Sequence, residues 1–278
     1  MKQYPKAIFF LVLLTILDFL LRKGIVAFLI PFELPPGFMF AFLFAVFSLL
    51  AWLITKGFCQ FDNLKMQDLG ITFNTKNSFD FSAGFSLGIL LWGIVALLQA
   101  VMAGFSWTLR PDFIIADLIF GLIFIFIADL GTELFTRGYP LTKFEKSFGA
   151  RTAIIIMVFF VGFKSFSFNL GGELLLYTML IPALHTIFFS MIYLKTRRLG
   201  GALGVHTGAN LVTISIFDLR PEEQAESIPA GIFQPSAELD SLSLSMLQLP
   251  YIIMAILFSV AVFYWWKGRS IKRIKSEK

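Results

Sequence analysis

The chain has one cysteine, Cys59, in 278 residues, which excludes an intrachain disulfide and any cysteine-based metal cluster. Charge is scarce as well. Asp, Glu, Lys and Arg make up 15% of the residues, against about 25% in soluble domains. No solenoid-type repeat and no low-complexity stretch interrupts the sequence. Apolar residues are abundant instead, at 57% of the chain, with 35 Phe among them. A surface built from these would not stay in water. At roughly 20 apolar residues per span, the composition has room for about seven or eight transmembrane helices. A nucleic-acid-binding protein, a secreted disulfide scaffold and a disordered chain are all excluded. The sequence is that of a polytopic membrane protein.

Eight apolar segments are legible, near 7–30, 38–55, 82–106, 113–136, 152–168, 173–194, 200–217 and 246–266. The first resembles a signal peptide, but it lacks a small-x-small cleavage site and runs into Arg22-Lys23, so it is read as a retained span. With the N-terminus in the cytoplasm, 18 of the 23 basic residues fall inside, four fall outside, and Lys164 lies within a span. That bias predicts an all-α bundle with both termini cytoplasmic. The net charge of +5 therefore reports topology before it reports an anionic partner. The chain divides into 1–112 (three N-terminal spans), 113–217 (a polar-motif core), 218–245 (an acidic outer loop) and 246–278 (a last span and basic tail). The loop's acids, Asp218, Glu222, Glu223, Glu226, Glu238 and Asp240, are read as a solvated surface. The tail from Lys267 to Lys275 is read as an anchor on anionic lipid. Gly84 with Gly88, and Gly204 with Gly208, form small-xxx-small pairs suited to close helix packing.

Ionisable groups inside spans are costly and need partners, so function is sought there. The fourth span carries Asp129, Thr132, Glu133 and Arg137 on one helical face. Glu133 precedes Arg137 by four residues, the favourable orientation for an ion pair. Asp129 and Glu133 are also four apart, an unfavourable pair unless a proton or a cation intervenes. Lys164, among apolar residues in the fifth span, is the expected cation. The seventh span contributes His206 and Asn210, one turn apart. A neutral network holding three helices in register accounts for these groups as well as a catalytic site does.

At these residues the sequence resembles the CPBP family, the CAAX proteases and bacteriocin-processing enzymes of membranes. The family's motifs are Glu-Glu-xxx-Arg, Phe-xxx-His and His-xxx-Asn. Here they appear as Thr132-Glu133-Leu134-Phe135-Thr136-Arg137, Phe160-Val161-Gly162-Phe163-Lys164 and His206-Thr207-Gly208-Ala209-Asn210. Leu199-Gly200-Gly201-Ala202-Leu203 is similar to the family's lead-in, and Asp68-Leu69-Gly70-Ile71 is a weaker likeness. The resemblance implies that the first-motif Glu and second-motif His activate water, and that His206 and Asn210 stabilise an oxyanion. A metal role for the histidines is a further family possibility, so a divalent metal is an open expectation.

Two motif positions depart from that pattern. Thr132 stands for the first Glu and Lys164 for the second-motif His. A threonine is no carboxylate base, and a protonated lysine neither accepts a proton nor ligates metal. Asp129 is the candidate replacement acid, Arg137 a supporting residue, and His185 a candidate only if it faces the site. Three readings follow. One is an intramembrane endopeptidase cleaving CAAX-type or leader peptides. Another is a catalytically silent relative that binds a peptide or protein in the same cavity. The third is a small-solute or proton transporter. The expected partners are membrane lipid and a membrane-associated peptide or prenylated protein, with no nucleic acid. The expected location is a bacterial plasma membrane.

Overall fold

The computed structural model describes residues 3–29, 36–168, 170–219, 231–238 and 242–276. They form an all-α bundle with one short β-ribbon. The helices are α1 (Tyr4–Leu20), α2 (Pro36–Phe61), α3 (Thr75–Ala103), α4 (Ile115–Glu133), α5 (Tyr139–Phe148), α6 (Ala150–Lys164), α7 (Gly172–Thr196), α8 (Leu199–Asn210) and α9 (Leu244–Ser276). Seven helices among the described residues are long and apolar enough to cross a bilayer, and the protein is an integral multi-pass membrane protein. The segment expected as a fifth span is the exception. Helix α6 has 15 residues, about 22 Å at 1.5 Å per residue, short of the roughly 30 Å hydrocarbon core.

Local chemistry sets the helix ends. Asn74 caps α3 by accepting from the Asn77 amide at 2.9 Å, and Gly104 closes it in a left-handed turn. Ala7, Phe10, Leu11 and Leu14 of α1 are buried, one helical stripe that packs α1 into the bundle. The outward faces are lined with exposed Phe, Leu and Ile side chains, as a bilayer requires.

The closest helix crossing is that of α3 with α8. A Cβ on Gly84 would sit 2.5 Å from the Gly201 carbonyl, and one on Gly204 would strike the carbonyl of Phe81. Gly88 and Gly208 approach the Val205 and Phe85 backbones in the same way. The two small-xxx-small pairs read from the sequence thus face each other. With Gly204 and Gly208 turned to α3, His206 and Asn210 point to the other side of α8, toward α4.

Strand β1 (Trp107–Leu109) pairs antiparallel with β2 (Phe233–Pro235), with Thr108 opposite Gln234. Part of the segment expected as an irregular acidic loop is therefore ordered. Asp218 is not a solvated loop acid: it is 2% exposed and accepts from the Gly231 amide at 3.0 Å. Glu222, Glu223, Glu226 and Asp240 lie outside the described residues, as do the side chains of the basic tail beyond Lys267.

Candidate functional site

Helix α4 ends in a π turn, Leu134–Gly138. Pro140, at the start of α5, has no amide proton to close the preceding helical turn. The widened turn buries Arg137 beneath Glu133, and its Nη1 donates to Glu133 Oε1 at 2.6 Å and to Thr136 Oγ1 at 2.9 Å. The guanidinium also lies 4.8 Å from the centre of the Phe189 ring. The ion pair read from the i, i+4 spacing is present, and both partners are buried.

His206 of α8 enters between the two acids of α4. Its Nδ1 donates to Glu133 Oε1 at 2.9 Å, and its Nε2 is 3.5 Å from Asp129 Oδ1. Asn210, one turn on, donates to the same Asp129 oxygen at 2.7 Å. The group that separates Asp129 from Glu133 is therefore the imidazole of α8. A second ring proton, making it an imidazolium, would bring Asp129, Glu133, Arg137 and His206 to zero net charge. The second oxygens, Asp129 Oδ2 and Glu133 Oε2, are buried and have no hydrogen-bond partner among the described residues.

Lys164 is not the cation of this cluster. Its Nζ pairs with Asp18 Oδ2 of α1 at 3.1 Å and lies over the Phe135 ring at 5.2 Å. Asp18 is shared with Arg22, whose Nε sits 3.0 Å from the other oxygen. Lys164 ends α6, so its long side chain reaches α1 at the bundle edge instead of the acids behind α8. Thr132 is also engaged, since its hydroxyl donates to the Ala128 carbonyl at 3.1 Å.

A cavity of about 290 Å³ opens among α4, α6, α7 and α8. Helix α4 contributes Thr132, with Phe135, Thr136 and Arg137 from its π turn, and α6 contributes Val161 and Lys164, with Ser165 at its C-cap. Helix α7 adds Pro182, His185, Thr186 and Phe189, and α8 adds His206 and Asn210. The site therefore draws on the sixth expected span as well as the fourth, fifth and seventh. His185 faces the cavity, and its Nε2 is buried with no partner among the described residues. His185 thus meets the condition that made it a candidate in the sequence. Its one sequence signal is Pro182, which breaks the α7 ladder one turn earlier. A second chamber of about 320 Å³ shares His185, Phe189, His206 and Asn210, and extends to Gln248 and Tyr251 of α9. A third, almost wholly apolar cavity of about 350 Å³ lies between α3, α7, α8 and α9, beside Trp265 and away from these groups. Asp129 and Glu133 line none of the three.

These residues do not fit a divalent metal. The Glu133 oxygen facing His206 already accepts from the Arg137 guanidinium, so a cation occupies the place a metal would need. Among the described residues, no three His, Cys, Asp or Glu side chains are arranged to hold one.

At the mouth of the bundle, Asp62 follows α2 and ion-pairs with Lys6 and Lys143, while the Tyr139 hydroxyl donates to it at 2.7 Å. Burial alone would raise the Asp62 carboxyl. The hydrogen bonds from Lys143, Lys6 and Tyr139, with the Lys143 charge, outweigh it and hold the carboxyl at about 2.

Fold and site together define a multi-pass α-helical membrane protein whose polar residues meet between α4 and α8. Residues 113–212 match the family model of the type II CAAX prenyl endopeptidase Rce1-like proteins, so the CPBP resemblance is shown over that stretch. Over that stretch the chain is similar to the CAAX-type intramembrane proteases. No curated protein and no solved structure matches it.

Proposed function

We propose that this protein is a non-hydrolytic relative of the CAAX-type proteases, which holds a membrane-associated peptide or prenylated protein in the cavity between α4, α6, α7 and α8. One observation carries the reading: among the described residues, no carboxylate side chain lines that cavity. Thr132 and Lys164 stand where the family's water-activating pair would be, and they are engaged by Ala128 and Asp18. Asp129, the candidate replacement acid, lies behind the cavity wall under Asn210 and His206. Loss of a general base alone costs about 10²–10⁴-fold in rate. The bilayer is proposed to be a bacterial plasma membrane, the setting implied by the family's bacteriocin-processing members.

The test is restoration. Purified protein carrying Thr132→Glu with Lys164→His is expected to cleave membrane peptides that the wild type leaves intact. Equal cleavage by wild type and double variant would overturn the reading.

His185 favours a second reading, because its free nitrogen lines the same cavity. In that reading His185 takes the proton from an attacking water. Cleavage by the wild type that disappears in His185→Gln is its signature.

A further inference from the structure

We propose that the apolar cavity between α3, α7, α8 and α9 holds one acyl chain of an anionic phospholipid, with the phosphate on Arg198 at its rim. This cavity shares no lining residue with the two chambers around His206, so the proposal stands apart from the reading of those chambers. Small residues hollow the slot: Ala83 and Gly84 on α3, Gly201 on α8 and Ala261 on α9. It runs along the bundle axis, from Asp80 to Leu87 on α3 and from Trp265 back to Phe258 on α9. Seven residues of helix make about 10 Å of depth. Asp80, Thr196 and Trp265 lie at helix ends, whereas Leu87 and Phe258 lie in the middle of long apolar spans.

The rim is at headgroup level and is basic. Trp265 and Trp266 end the last span, where indole rings sit at a membrane–water interface. Lys195 Nζ donates to the Trp266 carbonyl and lies over the Trp265 ring at 5.4 Å. Asp80, the one acid in the lining, is neutralised by Nε of Arg198. That leaves the two Nη groups of Arg198 with no partner among the described residues, on a side chain 33% exposed. A guanidinium held by one edge and open at the other suits a phosphate. In the sequence Lys267, Arg269, Lys272, Arg273 and Lys275 follow the tryptophans, and the positive-inside rule puts such an end in the cytoplasmic leaflet, where anionic lipid is found.

Size and charge narrow the occupant. A cavity of about 350 Å³ is at the small end of ligand sites. A helix with its side chains is about 10–12 Å across, so a partner's transmembrane segment does not enter, whereas a single chain does. Inside a bilayer an acyl chain leaves one apolar environment for another, so the headgroup decides which lipid is kept. A phosphatidylcholine brings its own cation against Lys195 and Arg198. A phosphatidylglycerol brings a phosphate without one.

The experiment is native mass spectrometry of the full-length protein from a neutral detergent, with equal amounts of dioleoyl phosphatidylglycerol and dioleoyl phosphatidylcholine added. One phosphatidylglycerol is expected to stay bound, preferred at least about fivefold, the share of one basic residue at an anionic surface. Ala83→Phe with Ala261→Phe fills the slot from its exposed side and should abolish retention without lowering the lipid-free melting temperature. Asp80→Asn with Arg198→Gln keeps the net charge and should bring the ratio of the two lipids toward one. That second variant decides the matter if the first does not fold. Equal retention of both lipids by the wild type, retention of neither, or a phosphatidylglycerol preference that survives both variants would overturn the proposal. A dimer that falls apart on filling the slot would overturn it too, by making a second copy of the chain the occupant.

Discussion

Glu133 Oε1 accepts two hydrogen bonds, from Arg137 Nη1 at 2.6 Å and from His206 Nδ1 at 2.9 Å. One arrives from the next turn of its own helix and the other from α8. This shared oxygen ties the π turn of α4 to α8 and draws Glu133 away from the cavity. The arrangement suits a structural lock better than a proton acceptor.

Glu133→Gln removes the charge that Arg137 and His206 face and leaves Arg137 buried without its counter-ion. A cost of about 3–5 kcal/mol is expected for breaking such a pair, seen as a marked fall in melting temperature of the detergent-solubilised protein. Replacing Glu133 and Arg137 together by Met should cost less than Glu133→Gln alone. A double variant less stable than the single one would show that the pair is not a closed unit.

The α3–α8 crossing makes a separate demand. Gly204→Val places side-chain atoms against the Phe81 backbone, and overpacking of this kind costs about 1–3 kcal/mol or more. Gly93→Ala, where nothing lies within 4 Å of the added Cβ, should stabilise α3 by roughly 0.5–1 kcal/mol. Melting curves of the two variants test whether the crossing is set by backbone contact.

Asp62 gives the fold an acid dependence. Its carboxyl is held at about 2 against an ordinary 3.8, so it favours the folded state above about pH 4 and loses that contribution as pH falls through about 2. Wild-type stability should drop between pH 4 and 2, and Asp62→Asn should be less stable at neutral pH with a flatter profile in that window. Parallel profiles for the two proteins would remove Asp62 as the cause.

Lys164→Met should destabilise the packing of α1 through Asp18 while leaving the Glu133–His206 bond in place. Proteolysis in the α1–α2 connection should accelerate in that variant, whereas the ring signals of His206 should not shift. A large shift of His206 would mean that Lys164 acts on the inner cluster after all.

The membrane class, most spans, the Glu133–Arg137 pair and both glycine pairs were legible because each depends on local spacing along one helix. The partner of Lys164 was not. Asp18 lies far back in the chain, and intramembrane charge alone pointed equally well to Asp129. The orientation of His185 was illegible for a related reason: one polar residue in an apolar helix gives no sign of which side it faces. The short α6 looked like a span because the apolar run continues to Phe168, past the helix end at Lys164. The β-ribbon joins strands 126 residues apart, Thr108 to Gln234, a pairing that no local pattern encodes.

The central claim is that the site binds without hydrolysing. It is tested most directly by comparing new peptide termini in membranes from cells making the wild type with those from cells making His206→Ala with Glu133→Ala, at matched levels of folded protein. Identical sets of termini are expected. A set present with the wild type and lost in the variant would contradict the account and make His185 the next residue to change.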